Sequence, residues 1–257
     1  MSVTPRFWAL SLDLGETVWW DTPEKGARQD AARSRILSAV LVGPDETPVT
    51  PEQVSTEWGA FRTEIVRTGR SHRTVSTRHK IEELARRLRA RLTVPMEAAV
   101  ERFALAGFDT DPPTVNSQAF RLVGSLNRRA VPVIAISNTQ RTGEAWRLFL
   151  QRAEMRFEFV ITSSDYEVAK PDPKLFRAAS ERLGLPPNDI LHVGDRWSTD
   201  VVGALSVGMG AALYRGLWGR HWDRDEGVVI DPGSHPEVFR WDDLGQAEPY
   251  LLERSDT

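Results

Sequence analysis

The feature that most constrains the fold is a series of short apolar runs that alternate with segments of helical periodicity. The runs are FWALSL (7–12), VPVIAIS (131–137), FEFVIT (157–162), ILHV (190–193) and AALY (211–214). From residue 131 onward, segments with apolar residues at helical spacing separate them, as in GEAWRLFLQRAE, PKLFRAASERLGL and TDVVGALSVG. Buried strands that alternate with helices predict an α/β fold with a doubly wound parallel sheet.

A long helical segment separates the first run from the others. From Thr22 to about Gly107, ARQDAARSRILSAVL, PEQVSTEWGAFRTEIVRT and RHKIEELARRLRARL carry apolar residues at helical spacing, and no convincing strand is found. We therefore expect a core formed by residues 1–18 and 113–257, interrupted by a helical module at residues 19–112. The remaining segment, 215–257, is mixed, with a short helix expected near residues 243–252.

Composition excludes several kinds of site. The 257 residues include no cysteine, which rules out disulfides, thiolate metal ligands and a cysteine nucleophile. A net charge of -3 and the lack of any recognised module argue against nucleic-acid binding. The apolar stretch after Arg6 is too short for a signal peptide core or a membrane span. A cytoplasmic protein with no membrane partner is expected, and the oligomeric state is left open.

Polar residues of particular kinds occur where the predicted strands end. They are Asp13 after the first run, Ser137 and Asn138 after the second, Lys170 at the start of the helix between the third and fourth, and Asp195 with Asp200 after the fourth. Ligands bind at the carboxyl ends of strands in such sheets. Carboxylates, a hydroxyl and a lysine there suit a hard divalent cation together with a phosphoryl group.

Four segments carry a resemblance to a known family. LSLDLGETV, IAISNT, AKPDPKLF and HVGDRWSTDVVGA resemble, in this order, the four motifs of the haloacid dehalogenase-like hydrolases. The resemblance is clearest over residues 7–18 and 131–215. It implies a Rossmann-like core with an α-helical cap domain inserted directly after the first motif.

The resemblance also implies roles for individual residues. Asp13 is expected to be the nucleophile that takes the phosphoryl group as an aspartyl-phosphate. Ser137 and the Asn138 backbone N–H would bind phosphoryl oxygens, and Lys170 would neutralise the nucleophile and the transferring group.

The same resemblance implies a Mg²⁺ site. Asp13, Asp195 and the backbone carbonyl of Gly15 are expected to hold the ion, with Asp200 as a further ligand or an orienting group. Dehalogenating members resemble the phosphatases but lack these acidic residues. The two acids in GDRWSTD therefore favour phosphoryl chemistry.

Gly15 stands where typical phosphatases of this family have an aspartate that acts as general acid and base. Such catalysis contributes about 10²–10⁴ in rate. Four explanations stay open: a substrate with a good leaving group, the adjacent Glu16, a residue from the cap, or a protein that no longer turns over. The cap candidates are His72, His79, Lys80 and, for a phosphonate-cleaving branch of the family, Lys25 or Lys80. His72, His79 and Lys80 are each more typical of a solvated surface position.

The sequence predicts a Mg²⁺-dependent phosphohydrolase that acts on a small, anionic, phosphorylated metabolite. The alternatives are a haloacid dehalogenase or phosphonate hydrolase, and a phosphate-binding protein without turnover. Residues 61–92 hold ten Arg or Lys against three Glu, which is either a positive surface above the site or a set of solvated helix faces. Trp19, Trp20 and Trp197 either line a substrate pocket or pack between core and cap.

Overall fold

A six-stranded parallel sheet lies at the centre of the computed structural model, which describes residues 6–68, 72–215, 224–225, 228–229 and 235–251. In chain order the strands of the described residues are β1 (Ala9–Leu12), β2 (Trp19–Trp20), β3 (Leu41–Val42), β4 (Arg91–Leu92), β5 (Thr114–Val115), β6 (Val133–Ser137), β7 (Val160–Thr162), β8 (Ile190–Gly194), β9 (Gly210–Tyr214), β10 (Arg224–Asp225), β11 (Val228–Val229) and β12 (Phe239–Trp241).

The helices are α1 (Pro23–Ser38), α2 (Pro51–Arg67), α3 (Thr77–Arg87), α4 (Met96–Leu105), α5 (Ser117–Arg128), α6 (Gly143–Arg152), α7 (Ser163–Tyr166), α8 (Pro173–Leu183) and α9 (Val202–Ser206). Short 3₁₀ helices cover Pro44–Glu46, His72–Thr74, Pro187–Asp189 and Leu244–Tyr250, and a π-helical turn covers Trp197–Val201. Among the described helices, none is both long and apolar enough to cross a bilayer.

The sheet has the order β12-β9-β8-β1-β6-β7. Its neighbouring strands all run parallel. In β1, β6, β7, β8 and β9, alternate apolar residues enter two different apolar clusters: Leu10 packs in one and Ala9 in the other. Both faces are therefore buried, which explains why these strands are continuous apolar runs in the sequence. This arrangement confirms the predicted α/β, doubly wound fold.

The structure differs from the predicted elements in a few places. A sixth strand, β12, pairs with β9 in the segment that the sequence left mixed. Helix α5 was not predicted, although Ala119, Leu122, Val123 and Leu126 form a buried face at helical spacing. Helix α3 ends at Arg87, and the chain then turns through Arg89, whose φ is 49°.

Two-residue strands occur within and beside the segment predicted to be purely helical. β3 pairs with β4, and β2 pairs with β5, both antiparallel. Such short pairs carry no detectable alternation in sequence, because period-2 patterning needs several residues. The chain passes from the sheet to helices α1–α4 through β2 and returns through β5, so the β2–β5 pair holds these two connecting segments together.

Helices α1–α4 pack around an apolar cluster of their own, which includes Leu37, Val54, Ile81 and Leu84. Local sequence explains how two of them begin. Thr50 and Gln53 form a reciprocal capping box at α2, with Pro51 in the first turn, and the Thr22 side chain caps α1. The division into a core of residues 1–18 and 113–257 and a cap of residues 19–112 stays a prediction.

Candidate active site

Asp13 lies directly after the carboxyl end of β1, between β6 and β8, where the winding of the sheet changes direction. The Asp13 N–H donates to the Val193 carbonyl at 2.8 Å, so the main-chain ladder holds the residue in place. Asp13 is 7% exposed and lines a cavity of about 720 Å³. Open α/β sheets bind ligands at such a switch point. The position therefore fits a reacting group.

Lys170 connects two of the predicted carboxylates. Its Nζ donates to Asp13 Oδ1 at 2.6 Å, to Asp200 Oδ1 at 2.5 Å and to the Ile136 carbonyl at 2.8 Å. An ammonium group has three N–H donors, so these three acceptors use all of them. The positive charge of Lys170 is thereby held against Asp13.

Burial and neighbouring charges act in opposite directions on these groups. Burial favours the neutral amine of Lys170, but Asp13 and Asp200 outweigh burial and raise the pKa of Lys170. Burial opposes ionisation of Asp200 as well, but Lys170 and His192 hold the pKa of Asp200 below its usual range. For Asp13, burial prevails over Lys170 and raises the pKa. Lys170 is therefore protonated and Asp200 ionised at neutral pH.

The last residue of β6, Ser137, and the first residue of the loop after it, Asn138, line the same cavity. Ser137 is 4% exposed. The Asn138 side chain makes a reciprocal pair with the Lys170 backbone: Oδ1 accepts from the Lys170 N–H at 2.8 Å, and Nδ2 donates to the Lys170 carbonyl at 3.2 Å. Asn138 thus positions the loop that carries Lys170, which the sequence did not indicate.

His192 is part of the site and was missed from the sequence. Its Nε2 lies 3.2 Å from Asp200 Oδ1 and its Nδ1 lies 2.9 Å from Ser11 Oγ. Burial lowers the pKa of His192, so the imidazole is neutral. Because a carboxylate can only accept, Nε2 carries the proton and Nδ1 accepts from Ser11. Ser11 and His192 stand out as polar residues within the apolar runs FWALSL and ILHV, where they pair across β1 and β8.

Asp200 packs against Gly194. A Cβ at Gly194 would stand 2.2 Å from Asp200 Cγ, so only glycine allows this approach. The second carboxylate oxygen, Oδ2, accepts from the Arg196 N–H at 3.1 Å and the Thr199 hydroxyl at 3.3 Å. Both oxygens of Asp200 therefore accept hydrogen bonds from the protein. That arrangement suits an orienting group, and its role as a Mg²⁺ ligand stays a prediction.

The donor set at the cavity fits a magnesium ion. The predicted ligands Asp13, Gly15, Asp195 and Asp200 all line the cavity. Within the described part of the chain, no three His, Cys, Asp or Glu side chains form a cluster that could hold a metal. Mg²⁺ is commonly bound through one or two carboxylates, with water and substrate phosphate completing the shell. Asp13, Asp195 and the Gly15 carbonyl stay the predicted ligands of such a site.

The residues considered as substitutes for a general acid are placed very differently. Glu16 lines the cavity and has a left-handed backbone, with φ 60°. The His79 side chain is 57% exposed, whereas Lys80 is fully buried and its Nζ donates to the Gln140 carbonyl at 3.2 Å. Lys25 donates to Thr114 Oγ1 at 3.1 Å. The side chain of His72 lies outside the described residues.

Two of the three tryptophans considered as pocket residues line the cavity. Trp19 and Trp20 are both in its wall, and Trp19 stacks on Trp146 with ring centroids 4.9 Å apart. Trp197 is not among the described residues that line the cavity; it packs against the apolar cluster on one face of the sheet.

Gly15 has room on its Cα: an added Cβ would meet Asp13 Oδ2 at 3.9 Å and no closer atom.

A parallel sheet with buried carboxylates and a buried lysine at its carboxyl edge defines an α/β protein with a ligand site at that edge. The haloacid dehalogenase-like hydrolase family model matches residues 9–208. The chain belongs to this family.

Curated relatives resemble only part of the chain. It is 37% identical over 84 residues to the 5-amino-6-(5-phospho-D-ribitylamino)uracil phosphatase YigB of Escherichia coli, and the match covers 33% of each chain. It is 45% identical over 53 residues to the haloacid dehalogenase-like hydrolase domain-containing protein 3 of Danio rerio, covering 21% of this chain and 22% of that one. The chain thus spans about a fifth to a third of these relatives' length.

Solved structures resemble the whole chain in fold. A 2-haloacid dehalogenase from Pseudomonas syringae superposes with a TM-score of 0.57 at 20% identity, covering 94% of this chain and 96% of that one. A phosphatase of the family from Thermococcus onnurineus gives 0.53 at 20% identity, covering 86% and 93%. At such identities the likeness concerns the fold alone.

Proposed function

We propose that the protein is a Mg²⁺-dependent phosphohydrolase that acts on a small phosphorylated metabolite through an aspartyl-phosphate on Asp13. The observation that carries the proposal is the buried Lys170 ammonium held between Asp13 and Asp200, with Asp195 in the same cavity wall. The phosphatase names of relatives such as YigB, and of the 43% identical glyceraldehyde 3-phosphate phosphatase of Methanopyrus kandleri over 53 residues, support it.

Each residue has a defined task in this proposal. A carboxylate oxygen of Asp13 attacks phosphorus as the bond from phosphorus to the leaving oxygen breaks, and water then hydrolyses the aspartyl-phosphate to free Asp13 and phosphate. Lys170 and the Ser137 hydroxyl offset the negative charge on the phosphoryl oxygens. Asp200 keeps Lys170 protonated and in place, and His192 keeps Asp200 oriented. Mg²⁺ bound by Asp13, Asp195 and the Gly15 carbonyl would add positive charge beside the transferring group.

The leaving group receives no proton from residue 15, because glycine has no side chain. Substrates whose leaving oxygen is a weak base, such as acyl phosphates, need no such proton. Glu16 is the carboxylate in the cavity wall nearest in sequence to that position. The proposal therefore favours either a substrate whose good leaving group needs no proton, or Glu16 as the residue that supplies the proton.

Three alternative functions use the same scaffold. A dehalogenase would displace halide with Asp13 and would need no Mg²⁺; the two acids of GDRWSTD weigh against it. A phosphonate hydrolase would need a cap lysine that reaches the substrate. Lys25 hydrogen-bonds Thr114, and Lys80 hydrogen-bonds the Gln140 carbonyl, so neither is favoured. A protein without turnover would bind a phosphoryl mimic tightly and hydrolyse nothing.

The test is a panel of phosphate esters, acyl phosphates and 2-chloropropionate, assayed with Mg²⁺ and with chelator. We expect phosphate release that requires Mg²⁺ and is abolished in Asp13→Asn. Asp172→Asn is the matched control, because asparagine caps helix α8 as well as aspartate does. Halide release that survives chelation, or equal rates for wild type and Asp13→Asn, would overturn the proposal.

A further inference from the structure

Among the arginines that line the cavity, two are largely buried, on the side formed by the helical segment and the loop after β6. Arg33 lies on α1, and Arg141 lies between β6 and α6. Arg141 is 3% exposed, and the Arg33 side chain is 12% exposed. Neither residue takes part in the chemistry proposed for Asp13, so their position in the same cavity needs an explanation of its own.

Arg141 is held only by neutral groups. Its guanidinium donates to the Ala104 carbonyl and, at 3.0 Å, to Gln29 Oε1, and it stacks 3.9 Å from the Phe108 ring centroid. The side-chain amide of Gln29 cannot be flipped, because its Nε2 already donates to Asp21 Oδ2 at 2.9 Å. Gln29 therefore presents its Oε1 to Arg141. Across the described ranges, no carboxylate forms an ion pair with Arg141.

The nearby carboxylates have other cations beside them. Asp30 pairs with Arg33, and Asp21 lies 3.7 Å from Lys25 Nζ. Burial lowers the pKa of Arg141 and of Arg33, and the charge of Arg33 lowers the pKa of Arg141 further; Asp30 and Asp21 act in the opposite direction on both groups without outweighing burial. A buried cation without a carboxylate in direct contact is costly, so the wall favours an incoming anion.

We propose that Arg33 and Arg141 form a second anion subsite, which binds a carboxylate or a second phosphate on the leaving-group part of the substrate. This inference rests on the proposed phosphohydrolase function, and it narrows the substrate to phosphate esters with two anionic groups. The planar guanidinium presents paired N–H donors that match a carboxylate or phosphate. The ester end would lie at Asp13 and the second anion at Arg141.

The test compares three series of esters with matched chain lengths: ω-phosphooxy carboxylates, alkanediol bisphosphates and ω-hydroxyalkyl phosphates. At its best chain length, we expect wild type to prefer one anionic series over the hydroxyalkyl series by at least about 10-fold in kcat/KM, mainly through KM. The preferred series shows whether the subsite takes a carboxylate or a phosphate.

In Arg141→Met this preference should fall to nearly one, and in Arg141→Lys it should fall partly, because lysine keeps the charge and loses the paired donors. Arg147→Met is the matched control: Arg147 lies on α6 and pairs with Glu144 at 2.7 Å outside the cavity wall. Its preference should equal that of wild type. If Arg141→Met does not fold, Arg33→Met and Arg141→Lys take its place in the comparison.

A wild-type preference near one, or an unchanged preference in the variants, overturns the subsite and leaves the phosphohydrolase intact. If none of these esters is hydrolysed, ligand-induced stabilisation decides the subsite, and the proposed function fails as well if no acyl phosphate is hydrolysed. An alkanediol bisphosphate or an ω-phosphooxy carboxylate should then raise the unfolding temperature more than an alkyl monophosphate in wild type and Arg147→Met, but not in Arg141→Met. Equal shifts would overturn the subsite.

Discussion

The side chain of Asp200 packs on the bare Cα of Gly194, at a distance that leaves no space for a methyl group: an added Cβ would lie 2.2 Å from Asp200 Cγ. Asp200 in turn accepts hydrogen bonds from Lys170 and His192. Gly194 therefore determines the position of Lys170 indirectly, through Asp200.

The first prediction concerns this contact. Gly194→Ala should push Asp200 away, lower the free energy of unfolding by about 1–3 kcal/mol, and reduce kcat by at least about 10-fold because Lys170 loses its fixed position. Denaturant unfolding and steady-state kinetics measure both effects. Gly59→Ala is the control: it lies in α2 with no atom within 4 Å of the added Cβ. It should be neutral or stabilising by up to about 1 kcal/mol. Equal behaviour of the two variants would contradict the prediction.

The second prediction concerns the buried lysine of α3. Burial, reinforced by Arg33, lowers the pKa of Lys80 from 10.5 to about 7. Between these two pH values the unfolded chain binds more protons than the folded chain, so the free energy of unfolding should rise with pH. In Lys80→Met that rise is absent. The stability of wild type relative to Lys80→Met should therefore increase by about 1–3 kcal/mol from pH 7 to pH 9.

Unfolding in urea at several pH values measures this difference. Lys174→Met serves as control because Lys174 is exposed, and its Nζ donates a long hydrogen bond of 3.4 Å to the Tyr166 carbonyl. Its stability relative to wild type should not change with pH. A flat profile for Lys80→Met as well would show that Lys80 keeps an ordinary pKa in the folded protein.

The third prediction concerns Gly15. Without an acid at this position, the rate with aryl phosphates should fall steeply as the pKa of the leaving phenol rises. Space for a side chain exists, since an added Cβ would meet no atom closer than Asp13 Oδ2 at 3.9 Å. Gly15→Asp should therefore raise kcat for poor leaving groups by about 10-fold or more and make the dependence shallower. Gly15→Asn is the matched control, which cannot donate a proton as an acid. If the rate depends equally on the pKa of the leaving phenol in both variants, the added carboxyl group does not act as a general acid.

The fourth prediction separates the roles of the two acids after β8. Asp195→Asn should weaken Mg²⁺ binding more than Asp200→Asn does, because both Asp200 oxygens already accept hydrogen bonds from the protein. Asp200→Asn should mainly lower kcat through Lys170. Calorimetric titration of Mg²⁺ into each variant measures the affinities, and loss of binding in Asp200→Asn alone would reverse the assignment.

Much of the site could be predicted from the sequence because strands of a parallel sheet end at one edge. Asp13, Ser137, Asn138, Lys170 and Asp195 each follow or precede a buried element, and the structure brings them to one cavity. The strands themselves were recognisable for the same reason: both faces are buried, so they are continuous apolar runs.

Other parts depended on contacts between residues far apart in the chain. His192 and Ser11 are 181 positions apart and meet only because β1 and β8 pair in one register. Arg141 reaches Gln29, 112 positions away, through packing of the loop after β6 against α1. The sequence alone determined the α/β order of elements and the kinds of chemical groups at the strand ends, because these follow from local periodicity. The tertiary structure decided which side chains hydrogen-bond to each other in the candidate site, and that the buried Arg33 and Arg141 line the same cavity as Asp13. Burial and hydrogen bonding are settled only when distant segments pack together.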